Sequence, residues 1–396
     1  MHPRVIGPRL AAWVSLIALL LCASRVGAVT DTLPESIPDR EFWNLTEQLS
    51  EPNGYFQSDN LVSNERTLST VAAALSQRVK PGGVYLGVGP EQNLTYIAAM
   101  RPKIAFITDI RRGNLHMHLM YKALFELSAD RADFVSRLFT KPRPAGLTAQ
   151  STAADLMNAY WDPNVKTSDE PTYRKNLDDI YRVLATTHGW PLTTQDRDGI
   201  AYVYYSFYWY GPRITYSSSS STNSANIASG VTYADLMVSV DTATGQERSY
   251  LASEETFATV KSLERRNLIV PVVGDFAGPK ALRGVGKYIR DHGATVTAFY
   301  VSNVESYLRR NNVWPSFCAN VATMPLDEAS AFIRPGGMGG STISFVAGAF
   351  RPSGTATIAS GATASPMPVI LSAPMITGAL PSSAFGGIAS EVAGCK

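Results

Sequence analysis

The sequence predicts an α/β protein: a mostly parallel sheet with helices on both faces, interrupted by a large inserted segment. Three observations predict it. Two strand-turn-helix units stand in tandem at residues 84–100 and 104–127. A second pair of strand-like runs, residues 267–274 and 294–302, flanks a helical stretch at 279–292. Between these pairs the stretch 128–263 breaks the alternation. Tandem βα units join parallel strands through right-handed crossovers.

The elements follow in order. Arg4 and Arg9 give a positive start, and residues 11–23 form an apolar core. That core is short for a membrane span, which needs ~20 residues. Val26-Gly27-Ala28 supplies small residues for cleavage after Ala28. The expectation is an exported protein, periplasmic or secreted, whose residues 1–28 form a signal peptide; an uncleaved anchor is the alternative. Cleavage leaves Cys318 and Cys395, which an oxidising compartment permits to pair; one buried thiol and one loose thiol is the other reading. Residues 29–54 read as a lead-in with at best a short amphipathic helix at 42–50.

Residues 55–127 form the first part of the core. Its opening, YFQSDNLVSNE at 55–65, is polar and turn-like. Leu68, Val71, Leu75 and Val79 then share one helical face, and Pro81-Gly82-Gly83 stops that helix. The apolar run 84–88 leads through a glycine turn into a helix; the β-branched run 104–110 precedes a helix over 114–127. The inserted cap or lid, 128–263, carries helical pieces at 153–161 and 174–187 and a serine tract at 217–221. Its aromatic run YVYYSFYWY, 202–210, reads as a β-hairpin packed on a domain, or else as a platform on which a sugar or base stacks. The second part of the core, 264–350, adds weaker strands at 316–321 and 341–347. Residues 351–396, rich in Ala, Ser, Gly and Pro, read as a disordered tail.

Composition narrows the function. Lys and Arg (35) nearly balance Asp and Glu (33), so net charge points to no nucleic-acid partner. Three cysteines and five histidines are poor material for a zinc site. His116 and His118, two apart on a helix, point about 200° apart and cannot share one ion. No metal is expected. No G-x-S-x-G elbow is present. One glycosylation sequon, at Asn93, falls inside the first helix after the glycine turn.

Four features fall at the carboxyl ends of the expected strands, where open α/β sheets bind ligands. Gly87-Val88-Gly89 lets the backbone turn tightly before a helix N-terminus; it is also an ordinary structural turn. Asp109 lies at the spacing of a carboxylate that grips ribose hydroxyls, or pairs with Arg111 or Arg112. Gly274-Asp275-Phe276 sets a carboxylate beside an aromatic face, suited to a polar ring edge, or Asp275 caps the next helix. Ser302-Asn303-Val304-Glu305 stands where a substrate would lie. Asp59, Asn60, Ser63, Asn64 and Glu65 form a dense polar run able to close over a pocket; helix capping by Ser63 is the alternative.

The order of these features resembles the Rossmann-like fold of class I S-adenosylmethionine-dependent methyltransferases. By that resemblance Gly87 and Gly89 match the glycine-rich first motif, Asp109 the ribose-binding acid, and Asp275 in VVGDFAG the adenine-side acid, with Phe276 beside it. The strings SDNLVSNE, YLGVGPEQNLTYIA, LIVPVVGDFAGPKAL and FYVSNVESYL are similar to a family of uncharacterised bacterial proteins with that fold. The resemblance spans about residues 55–334 and implies S-adenosylmethionine or a similar nucleoside as ligand, with Asn303 or Glu305 orienting a methyl acceptor. The sequence departs from the motif at two places. Tyr85 stands where an acidic residue usually holds the amino group of the methionine part, with Glu91 as candidate replacement. Pro90 and Glu91 follow Gly89 in place of a third glycine. Export and a cytosolic cofactor are also in tension. The other expectation is therefore a non-catalytic envelope binding or scaffold protein that keeps the fold.

Overall fold

A computed structural model describes residues 31–79, 81–161, 170–216, 230–336 and 340–345. Five parallel strands form the sheet: β1 (Val84–Val88), β2 (Ile104–Asp109), β3 (Ile269–Val273), β4 (Val296–Tyr300) and β5 (Ala331–Gly336). A sixth, β6 (Gly340–Phe345), pairs antiparallel with β5. The order is β3-β2-β1-β4-β5-β6. All residues of β1, β2 and the edge strand β3 are buried, as expected of parallel strands covered on both faces. The chain runs outward from β1 to β2 and β3, then returns to place β4 on β1's other side. That reversal opens a crevice at the carboxyl ends of β1 and β4.

The helices divide by face. Successive residues of a strand point to opposite faces. On β4, the Tyr300 ring meets Tyr96 of α3 (Gln92–Met100) at 5.4 Å. Its neighbour Phe299 meets Phe317 of α13 (Trp314–Val321) at 6.4 Å on the other side. With α3 go α2 (Leu68–Arg78), α4 (Arg112–Leu127) and α10 (Glu254–Arg265); with α13 go α1 (Asp39–Leu49) and α11 (Ala281–Asp291). The short α12 (Val304–Arg310) follows β4.

The inserted stretch is helical. It carries α5 (Arg131–Leu138), α6 (Ala153–Trp161), α7 (Glu170–Tyr181) with a π-helical turn over Arg182–Thr187, α8 (Thr194–Tyr210) and α9 (Tyr233–Met237), and it returns to β3 through α10. The expected hairpin at 202–210 is instead the second half of α8. Thr193 and Asp196 close a capping box at its start, and Ile200, Val203, Tyr204 and Phe207 bury at helical spacing. Tyr202, Tyr205 and Trp209 stay exposed. Gly199 lets α8 approach α4, since a Cβ there would lie 2.0 Å from His116 Nδ1.

One further expectation is corrected, and two features go beyond the sequence reading. Residues 316–321 form α13, not a strand; Pro315 in its first turn pre-sets the helical φ. The strand at 331–336 has no counterpart in the sequence reading, because Arg334 and Pro335 break its apolar run. The lead-in is held throughout its described part: Thr32 N–H donates to His292 O, Ile37 N–H to Arg266 O, and α1 packs on β3. Residues 1–28, the serine tract at 217–221, the tail at 351–396 and Cys395 lie outside the described residues, whereas Cys318 is buried on α13. No helix among the described residues is long and apolar enough to cross a membrane.

Candidate functional site

The turn after β1 is pinned from inside. Gly89 has φ +75°, in the left-handed region that favours glycine. The buried Asn93 carboxamide nitrogen lies 2.9, 3.3 and 2.7 Å from the carbonyl oxygens of Val88, Gly89 and Pro90. Its Oδ1 accepts the Tyr85 hydroxyl at 2.8 Å. Gly87 makes room for this pin, because a Cβ there would lie 1.9 Å from Asn93 Oδ1. His118 Nε2 donates to the Gly89 carbonyl at 2.9 Å. Burial pushes the His118 imidazole down to about 4 and so keeps it neutral.

At the end of β2, buried Asp109 accepts the Arg111 N–H at 2.9 Å, and Arg111 Nε lies 3.5 Å from the same oxygen. Burial pushes the Asp109 carboxyl up, and the Arg111 guanidinium opposes that shift. At the end of β3, Asp275 Oδ1 accepts the Ala277 N–H at 2.9 Å, and Phe276 stacks on Phe299 at 5.9 Å. Glu51, reaching over from the lead-in, fills the N-terminus of α11. Its carboxylate accepts the N–H groups of Lys280 (2.8 Å), Ala281 (2.9 Å) and Asp275 (3.0 Å). Gly278 is required beneath it, since a Cβ would lie 2.4 Å from Glu51 Oε2.

Residues 50–65 cross the carboxyl ends of the strands as a strap. Glu51 N–H donates to Val273 O, and Gly54 N–H to Ile110 O. At the far end Ser63 N–H donates to both oxygens of Glu91, 3.2 Å each. Glu65 accepts the hydroxyls of Tyr300 and Ser302. Between these anchors, Phe56 meets Tyr307 of α12 edge-on at 5.2 Å.

Strap and strand ends enclose a cavity of about 190 Å³, far more than one water requires. Gly89, Asp109, Asp275, Phe276, Asn60, Ser63, Asn64 and Asn303 all line it. The other proposed site residues face elsewhere. Gly87 packs on Asn93. Glu91 is fully buried against Ser63, and burial pushes its carboxyl up to about 8, so it is neutral at pH 7. Asp59 accepts the Tyr202 hydroxyl at 2.6 Å. Glu65 stands behind Tyr300. Glu305 holds Arg334 through two bonds, 2.8 and 2.9 Å.

The sequence reading did not include Gln92, Tyr216, Tyr307 or Phe56 among the site residues, yet all four line the cavity. Gln92 had a usable signal, its place in the first turn after the glycine turn. Tyr216 had none, since it arrives from the inserted stretch. Two lining residues, buried Gln92 and half-buried Asn60, each hold a buried atom that no described residue bonds: Nε2 and Oδ1. Leaving such groups unpaired costs about 1–3 kcal/mol each, which marks this cavity as a place for a hydrogen-bonding ligand.

Among the described residues, no group of three His, Cys, Asp or Glu is placed to hold a metal ion. No curated protein matches the chain by sequence. A family described as a domain of unknown function, DUF7790, matches residues 60–188 and 218–349, two stretches that contain β1 to β6 and most of the cavity wall. The chain belongs to this family.

Proposed function

We propose that the protein binds S-adenosylmethionine or a similar nucleoside in this cavity, with its core serving as a Rossmann-like, class I methyltransferase-like platform. One observation carries the reading: Gly89, Asp109, Asp275 and Phe276, from three separate strand ends, line a single cavity at the sheet's reversal point. In this reading Asp109 accepts the ribose hydroxyls, while Phe276 and Asp275 meet the face and edge of the base. The strand order, with an antiparallel partner outside β5, supports it further.

The two halves of S-adenosylmethionine fare differently against these residues. The nucleoside half meets suitable groups. The amino-acid half does not, because Tyr85 is wholly buried and committed to Asn93, and Glu91 is neutral and turned to Ser63. We therefore derive no methyl-transfer step. Glu305 is committed to Arg334, so Asn303 is the group left to orient a second substrate. A second reading, a binding protein of the cell envelope that performs no reaction, draws its support from the Tyr85–Asn93 pair. Both readings include export, which the mass of the exported chain tests: it begins at Val29 if residues 1–28 are removed.

Calorimetric titration with S-adenosylmethionine, S-adenosylhomocysteine and adenosine tests the site itself. The expected result is saturable binding that Asp109→Ala weakens by about tenfold or more, the worth of a charge-assisted hydrogen bond. Equal affinity in the variant, or no heat at millimolar ligand, rejects the reading.

A further inference from the structure

We propose that the turn between β1 and α3 holds the phosphate of a nucleotide whose nucleoside part lies in the cavity. This rests on the nucleoside reading above and names the chemistry of the ligand's other end. Helix α3 has nine residues and opens directly beside the cavity. Its first turn is tightened by Asn93 N–H to Pro90 O and Leu94 N–H to Glu91 O. The N–H of Gln92, the first residue of the helix, stands ahead of the helix's own hydrogen-bond ladder. Beside it stands the Gln92 carboxamide, only 1% exposed, lining the cavity, its Nε2 without a described partner.

Two donors of one residue, the Gln92 N–H and carboxamide, thus stand where the helix dipole is positive, an arrangement that binds oxyanions. The two titratable groups packed against the turn itself do not oppose it. Glu91 is neutral because burial raises its carboxyl, and neutral His118 is turned to the Gly89 carbonyl. An ammonium group would instead need acceptors, and the side chains nearest the turn that could serve, Tyr85 and Glu91, are committed to Asn93 and Ser63. Across the rim, Glu51 satisfies the N-terminus of α11 with the protein's own carboxylate. Among the described residues, no carboxylate does the same at α3.

The test titrates the full chain with adenosine, guanosine, their 5′-monophosphates, inorganic phosphate and S-adenosylmethionine. A monophosphate is expected to bind about tenfold or more tightly than its nucleoside, with an advantage that shrinks as salt rises. Gln92→Glu, which replaces a donor by a carboxylate of equal size, is expected to erase the advantage of the monophosphate over its nucleoside. If a nucleoside binds and its monophosphate binds no better, the inference falls and the nucleoside reading stands. It falls likewise if S-adenosylmethionine outcompetes the monophosphates. If none of these compounds binds, both fall. The comparison on the unaltered chain decides the matter even if Gln92→Glu does not fold.

Discussion

The turns after β1 and β3 are built alike and finished differently. Each runs from a buried strand through glycine into a helix beside the same cavity. At β3 the helix N-terminus receives the Glu51 carboxylate from a segment more than two hundred residues earlier in the chain. At β1 the nearest carboxyl, Glu91, is buried, neutral and bonded to the strap instead. One turn completes its hydrogen bonds with an internal anion; the other is stiffened by Asn93 and keeps its Gln92 carboxamide nitrogen uncommitted among the described residues. The difference teaches that shared topology does not make two rims equivalent, and that the uncommitted rim is where a ligand gains most.

Three changes sharpen or break this contrast. The largest effect belongs to Asn93→Ala, which strips a donor from the carbonyls of Val88, Gly89 and Pro90 and an acceptor from the Tyr85 hydroxyl. Chemical denaturation is expected to show a loss of about 3 kcal/mol. A loss under about 1 kcal/mol would mean that the backbone, not this side chain, holds the turn. Next comes Glu51→Ala, expected to cost about 2 kcal/mol by freeing three N–H groups. It should lower the thermal midpoint by a few degrees, and an unchanged midpoint would remove the β3 half of the comparison.

The third change, Glu91→Gln, is read from the pH dependence rather than at one condition. The Glu91 carboxyl is raised from 4.5 to about 8 in the folded chain. Between those values the folded state keeps a proton that the unfolded state has lost, so stability falls as pH rises through this window. The glutamine variant should lack that fall: similar to the unaltered chain near pH 5, and more stable by about 1 kcal/mol or more at pH 8. Glu264, also buried and raised to about 8, slopes both curves alike. Parallel curves for the two chains would show Glu91 ionised at neutrality and withdraw one support from the phosphate inference.

Much of this arrangement was legible because it is local. β1, β2, β3 and β4 announce themselves as apolar runs rich in β-branched residues, three of them closed by glycine or serine, and Asp109 and Asp275 follow from their place at strand ends. The aromatic half of α8 was misread because tyrosine, tryptophan and phenylalanine favour strands, whereas Thr193 and Asp196 already spelled a helix start. Glu51 could not be read at all, since its partners lie at 275–281 and no local pattern announces a carboxylate that caps a distant helix. The sequence reading placed Asn93 in the helix after the glycine turn as part of a sequon, and it is wholly buried at the heart of the turn. Glu305 looked like a cleft residue by sequence position, and only the sheet's far side, bringing in Arg334, redirects it.

Gly278 deserves a last consequence. Its N–H donates to Asp275 O and its carbonyl accepts from Asn320, while the space above its Cα is the space the Glu51 oxygen fills. A single methyl group at that position would therefore evict an anion supplied from the other end of the chain, loosening the strap over the cavity and uncovering a second cationic helix tip without touching any charged residue.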